Sequence, residues 1–479
     1  DNLYNAGNKL IQGAIDNDYY FVKESVVQDI SYIEEDAFEA KYSVQKFLKD
    51  LDLEVSTEGF TKGKYKSYTA SATLDSTSNR TIHIKSIVKD GSYYLLGYVG
   101  ETIDNAETFF NSFKFKTTNY NNFETVVDTA LHFSVLTNTK PYISSYNSYD
   151  NENQKPYDRQ DKKGIYFSKA NEQIYVSRTK FHDLKMYRNI DSLWNELDRD
   201  LKDNAEDFKL VITDRKKEYK DNSYSYSFKY KDSLSAKTVL VKNILKEGIL
   251  FKIKSLTDSI AKPSPFITNF YKTFKPKDTL LGLSVFKDKT ERFLKALKED
   301  DSIILNANGM IKFGKQHTDK LIRLLKTYVF PKNKEQIKTN LIFQLGELED
   351  PKVIPFLKTM YIDSYSEPET QTDILMAILS KKNKAAQSRF MSLLSKDLPL
   401  EPYAVKSLFR TYGDSLELKK ELYPELLEYS SVREYKEPIY GLLAKLKDSG
   451  LVKPKVYKRY KKQIINDGKI EIKRNLGND

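Results

Sequence analysis

Apolar and polar positions alternate through Ile82, Ile84 and Ile87, and again through Val239, Val241 and Ile244. That is the period of a half-buried strand. The two stretches belong to near-copies, "DSTSNRTIHIKSIVKDG" at 75–91 and "DSLSAKTVLVKNILKEG" at 232–248. Aligned without gaps, they are identical at eight of 17 positions and conservatively exchanged at five more. Lys-Asp-Gly and Lys-Glu-Gly predict a turn after each strand, with Gly91 and Gly248 free to take φ > 0. A second apolar strand follows each turn, "SYYLLGYV" and "ILFKIKSL". Each unit closes with an aromatic-rich helix, "AETFFNSFKF" (106–115) and "ITNFYKTFKP" (267–276). The same order twice implies tandem duplication of a domain.

The second copy reads more fully. "ALHFSVLT" and "GIYFSKA" predict strands around a polar loop, "SSYNSYDNENQKPYDRQDKK", and "IYVSRTKFHDLKMY" continues the sheet. "IDSLWNELDRDLKD" predicts a helix with Leu193, Trp194, Leu197 and Leu201 on one face. The fold class is α+β, an antiparallel sheet with helices packed against one side. In the first copy the 18–52 region stays open between strand and helix.

A 3.6-residue period takes over near residue 288. Ile337, Leu341, Ile342, Leu345 and Leu348 predict a helix over 334–348, and Asp350-Pro351 predicts the N-cap and first position of the next. Val353, Phe356, Leu357 and Met360 mark that helix. Further helices are expected near 369–380, 384–395, 401–412, 415–429, 435–447 and 454–465. The expected organisation is therefore two tandem α+β units, 1–117 (with an N-terminal helix) and 123–277, then an all-α domain at 288–465 and a basic tail at 466–479.

The order of hairpin, strand and closing helix resembles the PsbP-like fold, whose members end in an aromatic-rich helix of the Phe-Phe-x-Ser-Phe kind. "LGELEDPKVIPFLKTMY" resembles a HEAT-type repeat, which implies paired helices stacked as an α-solenoid. The combined order resembles the C-terminal part of long envelope proteins of Bacteroidota, some with an N-terminal TraB/GumN-type domain. That domain's paired G-x-x-H motifs imply a metal-dependent, peptidase-like role. Only Gly314-Lys-Gln-His317 has that spacing here, so no catalytic residue is carried over.

The chemistry-bearing residues narrow the choice. The chain has no cysteine, which excludes disulfides, thiol nucleophiles and Cys-ligated metals. The four histidines, His83, His132, His182 and His317, have no i, i+4 pairing for a helical metal site. His83, His132 and His182 read as surface positions of strands. "GMIKFGK" (309–315) has the outline of a phosphate loop, but Gln316 stands where a magnesium-binding hydroxyl belongs. Its bulky centre suits a β-hairpin with an Asn-Gly turn better. No G-x-S-x-G occurs, and "DNENQKPYD" lacks the Gly and Glu of an EF-hand loop. The acidic runs "EEDAFE" and "EDDS" read as solvated or capping charge.

Net charge is +11, yet residues 1–120 hold 13 Lys/Arg against 18 Asp/Glu. From Gly450 onward there are nine basic and three acidic residues. No apolar run spans a bilayer. The expected function is a non-catalytic protein-binding scaffold or accessory subunit of a bacterial cell-envelope assembly. The expected place is the periplasm or outer-membrane periphery of a Gram-negative cell. No cofactor and no metal is expected, nucleic acid is not the expected partner, and peripheral membrane association stays open. The candidate partner-binding residues are Lys455, Lys458, Arg459, Lys461 and Lys462, flanking an apolar stripe of Val456, Tyr460 and Ile464 or Ile465. One alternative is a binder of anionic polymer, nucleic acid or lipid headgroups through the basic helical domain. A third is the C-terminal part of a metal-dependent peptidase-like protein with its catalytic domain upstream.

Overall fold

A computed structural model describes residues 9–26, 33–74, 79–89, 91–142, 155–207, 210–278, 282–299, 301–304, 307, 309–411 and 416–476. The first four residues of the repeat, 75–78, and most of the polar, carboxylate-rich loop, 143–154, lie outside these. The chain forms two compact units, residues 1–288 and 289–479.

In the first unit, β1 (Lys9–Ile15), β2 (Asp18–Val26), α1 (Asp36–Asp50), β3 (Thr57–Thr61), β4 (Ser67–Thr73), β5 (Thr81–Lys89), β6 (Ser92–Gly100) and α2 (Ile103–Ser112) form one half. The other half has β7 (Glu124–Asp128), β8 (Phe133–Thr137), β9 (Pro141–Tyr142), β10 (Gln160–Phe167), β11 (Gln173–Lys180) and α3 (Ile190–Asp207). It continues with β12 (Leu210–Lys220), β13 (Ser223–Asp232), β14 (Lys237–Lys246), β15 (Ile249–Asp258), α4 (Pro265–Thr273) and β16 (Lys275–Pro276). The fold of this unit is α+β.

The duplication is explicit in the sheets. The first runs β1-β2-β6-β5-β4-β3, and the second, taken in the same sense, runs β10-β11-β15-β14-β13-β12 with β9 outside β10. Neighbouring strands are antiparallel throughout. The second half adds a three-stranded sheet, β16-β8-β7. Its main sheet is covered on both faces. Trp194 and Leu193 of α3 pack with Val239, Val241 and Tyr226 on one side. Phe266 and Phe270 of α4, with Phe133 of β8, pack with Phe251 and Ile253 on the other. Ser264 caps α4 by accepting from the Ile267 N–H (3.3 Å), and Pro265 fills its first position.

One open reading is resolved and two local expectations are corrected here. The open 18–52 region is strand β2 followed by helix α1, whose Ala40, Val44 and Leu48 repeat every four residues and are buried. In β5 the buried series is Ile82, Ile84, Ser86 and Val88, leaving Ile87 half-buried on the other face. Ser86 is accommodated because its hydroxyl donates to the Ala40 carbonyl (2.6 Å). Gly91 has φ 73°, but in the β14–β15 turn the left-handed residue is Glu247 (φ 53°), not Gly248. Gly248 is required for space instead, since a Cβ there would strike the Leu283 carbonyl.

The second unit is helical. It contains α5 (Thr290–Lys298), α6 (Thr318–Thr327), α7 (Glu335–Glu347), α8 (Val353–Asp363), α9 (Pro368–Leu379), α10 (Lys384–Leu394) and α11 (Pro402–Thr411). These are followed by α12 (Leu416–Lys419), α13 (Arg433–Asp448), α14 (Pro454–Tyr457) and α15 (Lys461–Leu476). Alternate helices pack in succession, α7 on α9, α9 on α11 and α11 on α13. No described helix is long and apolar enough to cross a membrane.

Several boundaries differ from the sequence reading. No strand occurs among the described residues of 302–314. Ser302–Ile304 is a 3-10 turn, and Ile303, Ile304, Ile311 and Phe313 all point inward, which a two-faced hairpin would not allow. Asp350 accepts from the Lys352 N–H (2.9 Å), and α8 begins only at Val353, so Asp350 stabilises the turn before the helix. The helix expected over 415–429 is α12 and two 3-10 segments around Pro424, whose ring and missing N–H oppose continuation. The helix expected to end at Ile465 is split by a 3-10 turn at Lys458–Tyr460 and runs to Leu476, through most of the expected tail.

Candidate functional site

An open groove of about 840 Å³ runs along α6, α7, α8 and α9 of the helical unit. Its walls follow from helix amphipathicity. Each helix sends its apolar stripe into the core, so polar residues beside the stripe face the gap between neighbours. Phe356 and Met360 of α8 are the buried apolar floor. The loop after α6 supplies Val329, 88% exposed, and Phe330, whose ring lies edge-on to Tyr328 at 4.8 Å.

The polar wall is built from α7 and α9. Lys338 of α7 forms an ion pair with Glu367 and also donates to Thr370 (2.9 Å). That pair holds the Glu367 carboxyl below its usual range. One turn pair along, the Thr339 hydroxyl donates to Asp373 Oδ2 (2.6 Å). Burial pushes the Asp373 carboxyl up, against the opposing effects of that hydrogen bond and of the Lys338 charge. Lys326 lies 5.6 Å from the centre of the Phe356 ring, within cation–π range. The lining holds five carboxylates, Glu335, Asp363, Glu367, Glu369 and Asp373, against three lysines. With Lys338 engaged by Glu367, the groove is net acidic, and it offers hydroxyls at Thr339, Thr359, Ser364 and Ser366 as hydrogen-bonding groups.

The basic candidates of the sequence reading sit elsewhere in this unit. Lys455, Lys458, Arg459, Lys461 and Lys462 are all exposed, spread over α14, the 3-10 turn and the start of α15. Arg459 reaches Glu428 (3.6 Å) and lies 5.3 Å from the Tyr460 ring. The four lysines enter no ion pair among the described residues. Val456, Tyr460 and Ile464 are half-buried as one stripe, while Ile465 is 45% exposed. The segment is anchored by polar contacts as well. Asp467 accepts from Tyr440 (2.7 Å) and Lys436 (3.1 Å), and Gln463 donates to Ser430 (2.8 Å).

Other candidate groups resolve as structural. Gly314 and His317 form one turn, with the Gly314 N–H donating to His317 Nδ1 (3.0 Å) and the ring 5% exposed. His182 is 2% exposed rather than on the surface. Its Nδ1 accepts from the Leu184 N–H (3.1 Å), and Nε2 lies 3.8 Å from Asp158. His132 lies in the β7–β8 turn at φ 61°, not in a strand, and is half-buried. His83 is half-buried, and loss of water lowers its pKa. Among the described residues no three His, Asp or Glu side chains converge as a metal-binding group.

The acidic run "EEDAFE" was missed as a structural device. Asp36 and Glu39 are 3% and 4% exposed. Asp36 accepts from the Ser235 hydroxyl and the Ala236 N–H, both at 2.7 Å, and Glu39 pairs with Lys237. The signal was Asp36 one turn before Ala40 in the series Ala40, Val44 and Leu48, with Glu39 next to Ala40, both buried on α1.

No family model matches the chain, and no curated protein matches it. Among solved structures it is similar to cyanobacterial PsbP (CyanoP) from Synechocystis. That match covers 35% of this chain and 99% of the other, at 11% identity and a TM-score of 0.23.

Proposed function

We propose that the chain is a non-catalytic protein-binding scaffold, an accessory subunit of a bacterial cell-envelope assembly. In this reading the two halves of the first unit are PsbP-like domains and the helices of the second stack as HEAT-like repeats. The observation that carries it is the groove along α6 to α9, with its exposed Val329, its row of hydroxyls and its excess of carboxylates. Walls drawn from four successive helices suit an extended polypeptide segment bearing basic side chains. The succession α7, α9, α11, α13 supports the repeat reading. The envelope setting rests on the resemblance in domain order. Quantitative co-purification from native envelopes tests the proposal. A partner chain in near-equal molar amount supports it, and elution of the chain alone at low and high salt contradicts it.

A second reading is favoured by the four exposed lysines without ion pairs, Lys455, Lys458, Lys461 and Lys462. They suit an anionic polymer or lipid headgroups, with affinity falling steeply as salt rises. Titrating the full chain with DNA and with acidic vesicles at two salt levels separates the readings. Absence of binding at low salt eliminates this one.

A further inference from the structure

The inward face of β11 is Ile174, Val176, Arg178 and Lys180, all buried. The two lysines at this end of the sheet have oxygen partners. Lys180 donates to the Pro156 carbonyl (2.7 Å) and to Asp183 (3.0 Å), and Lys246 donates to Asp278 (2.5 Å). Arg178 is treated differently. It is 2% exposed, its Nε has no hydrogen-bond partner, and it enters no ion pair among the described residues.

The local carboxylate does not compensate it. Asp128 of β7 accepts from the Leu131 N–H (2.7 Å) through one oxygen and from the Tyr166 hydroxyl (2.9 Å) through the other. Cationic and basic groups flank Arg178 as well. Lys162 of β10 is the cross-strand partner of Arg178, so both side chains leave the same face of the sheet. His132 lies within the field of Arg178, Lys162 and Lys277, and the Lys277 N–H donates to the His132 carbonyl (2.9 Å). A buried guanidinium with an unpartnered Nε is costly, and a bound anion is one way to complete it.

We propose that Arg178, with Lys162, Lys277 and His132, forms a binding site for a small inorganic oxyanion of the phosphate or sulfate type. The planar fork of Arg178 matches two oxygens of such an ion, and a dianion balances the surrounding lysines better than chloride. The depth of Arg178 favours a small free ion over a bulkier phosphate ester.

The test is the melting temperature of the full chain in phosphate, sulfate or glycerol phosphate against sodium chloride at equal ionic strength. Calorimetric titration with inorganic phosphate accompanies it. Phosphate well above its Kd is expected to raise Tm by about 3 °C. Arg178→Met should fold with an unchanged or higher Tm in chloride, lose the phosphate shift and weaken phosphate binding at least about tenfold. Should Arg178→Met fail to fold, the double variant Lys162→Gln, Lys277→Gln should lose at least about half of the shift. An equal Tm in phosphate, sulfate and chloride overturns the site, as does a shift that survives these substitutions. A shift with glycerol phosphate equal to that with phosphate would assign the site to esters and overturn the free-ion part.

Discussion

Glu39 of α1 and Lys237 of β14, 198 residues apart in sequence, form an ion pair with side chains only 4% and 2% exposed. The Tyr93 hydroxyl donates to the same carboxylate (2.5 Å), and Asp36 beside it holds Ser235 and Ala236. The two halves of the duplicated unit are thus joined through carboxylates of one helix and residues 235–237, which lead into β14. Burial pushes the Glu39 carboxyl up, opposed by the charge and hydrogen bond of Lys237. A buried pair of this kind adds little net stability over an apolar contact, but it fixes which surfaces meet.

Removing one partner leaves an uncompensated buried charge. Lys237→Met is expected to cost about 3 kcal/mol or more in urea unfolding, and Glu39→Leu a comparable amount. The double variant should recover much of that loss, giving a coupling above about 1.5 kcal/mol. Losses that simply add would show that the pair is not the contact joining the halves.

Gly91 tests the geometry of the repeated turn. Its φ of 73° and the closeness of Leu256 to any added Cβ both oppose a side chain. Gly91→Ala should lower stability by about 2 kcal/mol. Glu247→Gly, which relieves the positive φ of the equivalent turn, should be neutral or stabilising by up to about 1 kcal/mol. Equal effects from both substitutions would contradict this division of roles.

Asp373 links the groove to pH. Its folded-state pKa is raised, chiefly by burial, so the folded chain binds its proton more readily than the unfolded chain. The carboxylate therefore lowers stability above its folded pKa, and that loss disappears as pH falls below the ordinary aspartate range. Asp373→Asn should be more stable than the parent at pH 7 by up to about 1 kcal/mol, with the gain vanishing near pH 3. Thermal unfolding across that range checks the sign.

The basic segment should be thermodynamically silent. Reversing Lys458, Arg459, Lys461 and Lys462 to Glu removes the exposed Arg459–Glu428 pair and the Arg459 contact with the Tyr460 ring, and exposed contacts of these kinds contribute about 0–1 kcal/mol each. Tm should move by less than about 2 °C. If this face docks an acidic partner, the on-rate falls and its salt dependence flattens. Unaltered binding would leave these residues as solvated surface.

Legibility followed the range of the interactions. Local alternation and helical spacing announced β5, β14, α3 and α7, and the near-identity of 75–91 and 232–248 announced the shared strand order. The burial of Asp36 and Glu39 depends on Ser235, Ala236 and Lys237, and no local pattern carries a contact between halves. His182 was misread because alternation was extended past Lys180, where β11 has ended. The 302–314 segment was misread because Asn-Gly suggests a hairpin only when two strands can pair, and here Ile303, Ile304, Ile311 and Phe313 go into the helical core. The groove was invisible because its lining comes from helix positions chosen by packing, while the exposed lysines of 455–462 were plain from charge alone.

The central claim is recognition of a partner polypeptide by the groove. Thr359→Arg places a bulky cation in its acidic lining, away from the buried stripe of α8. The decisive measurement is the Kd of the co-purified partner for the parent chain and for Thr359→Arg, each at unchanged Tm. We expect at least about a 30-fold weaker Kd for the variant, the loss typical of disrupting a central contact. A Kd within about twofold of the parent would contradict the claim.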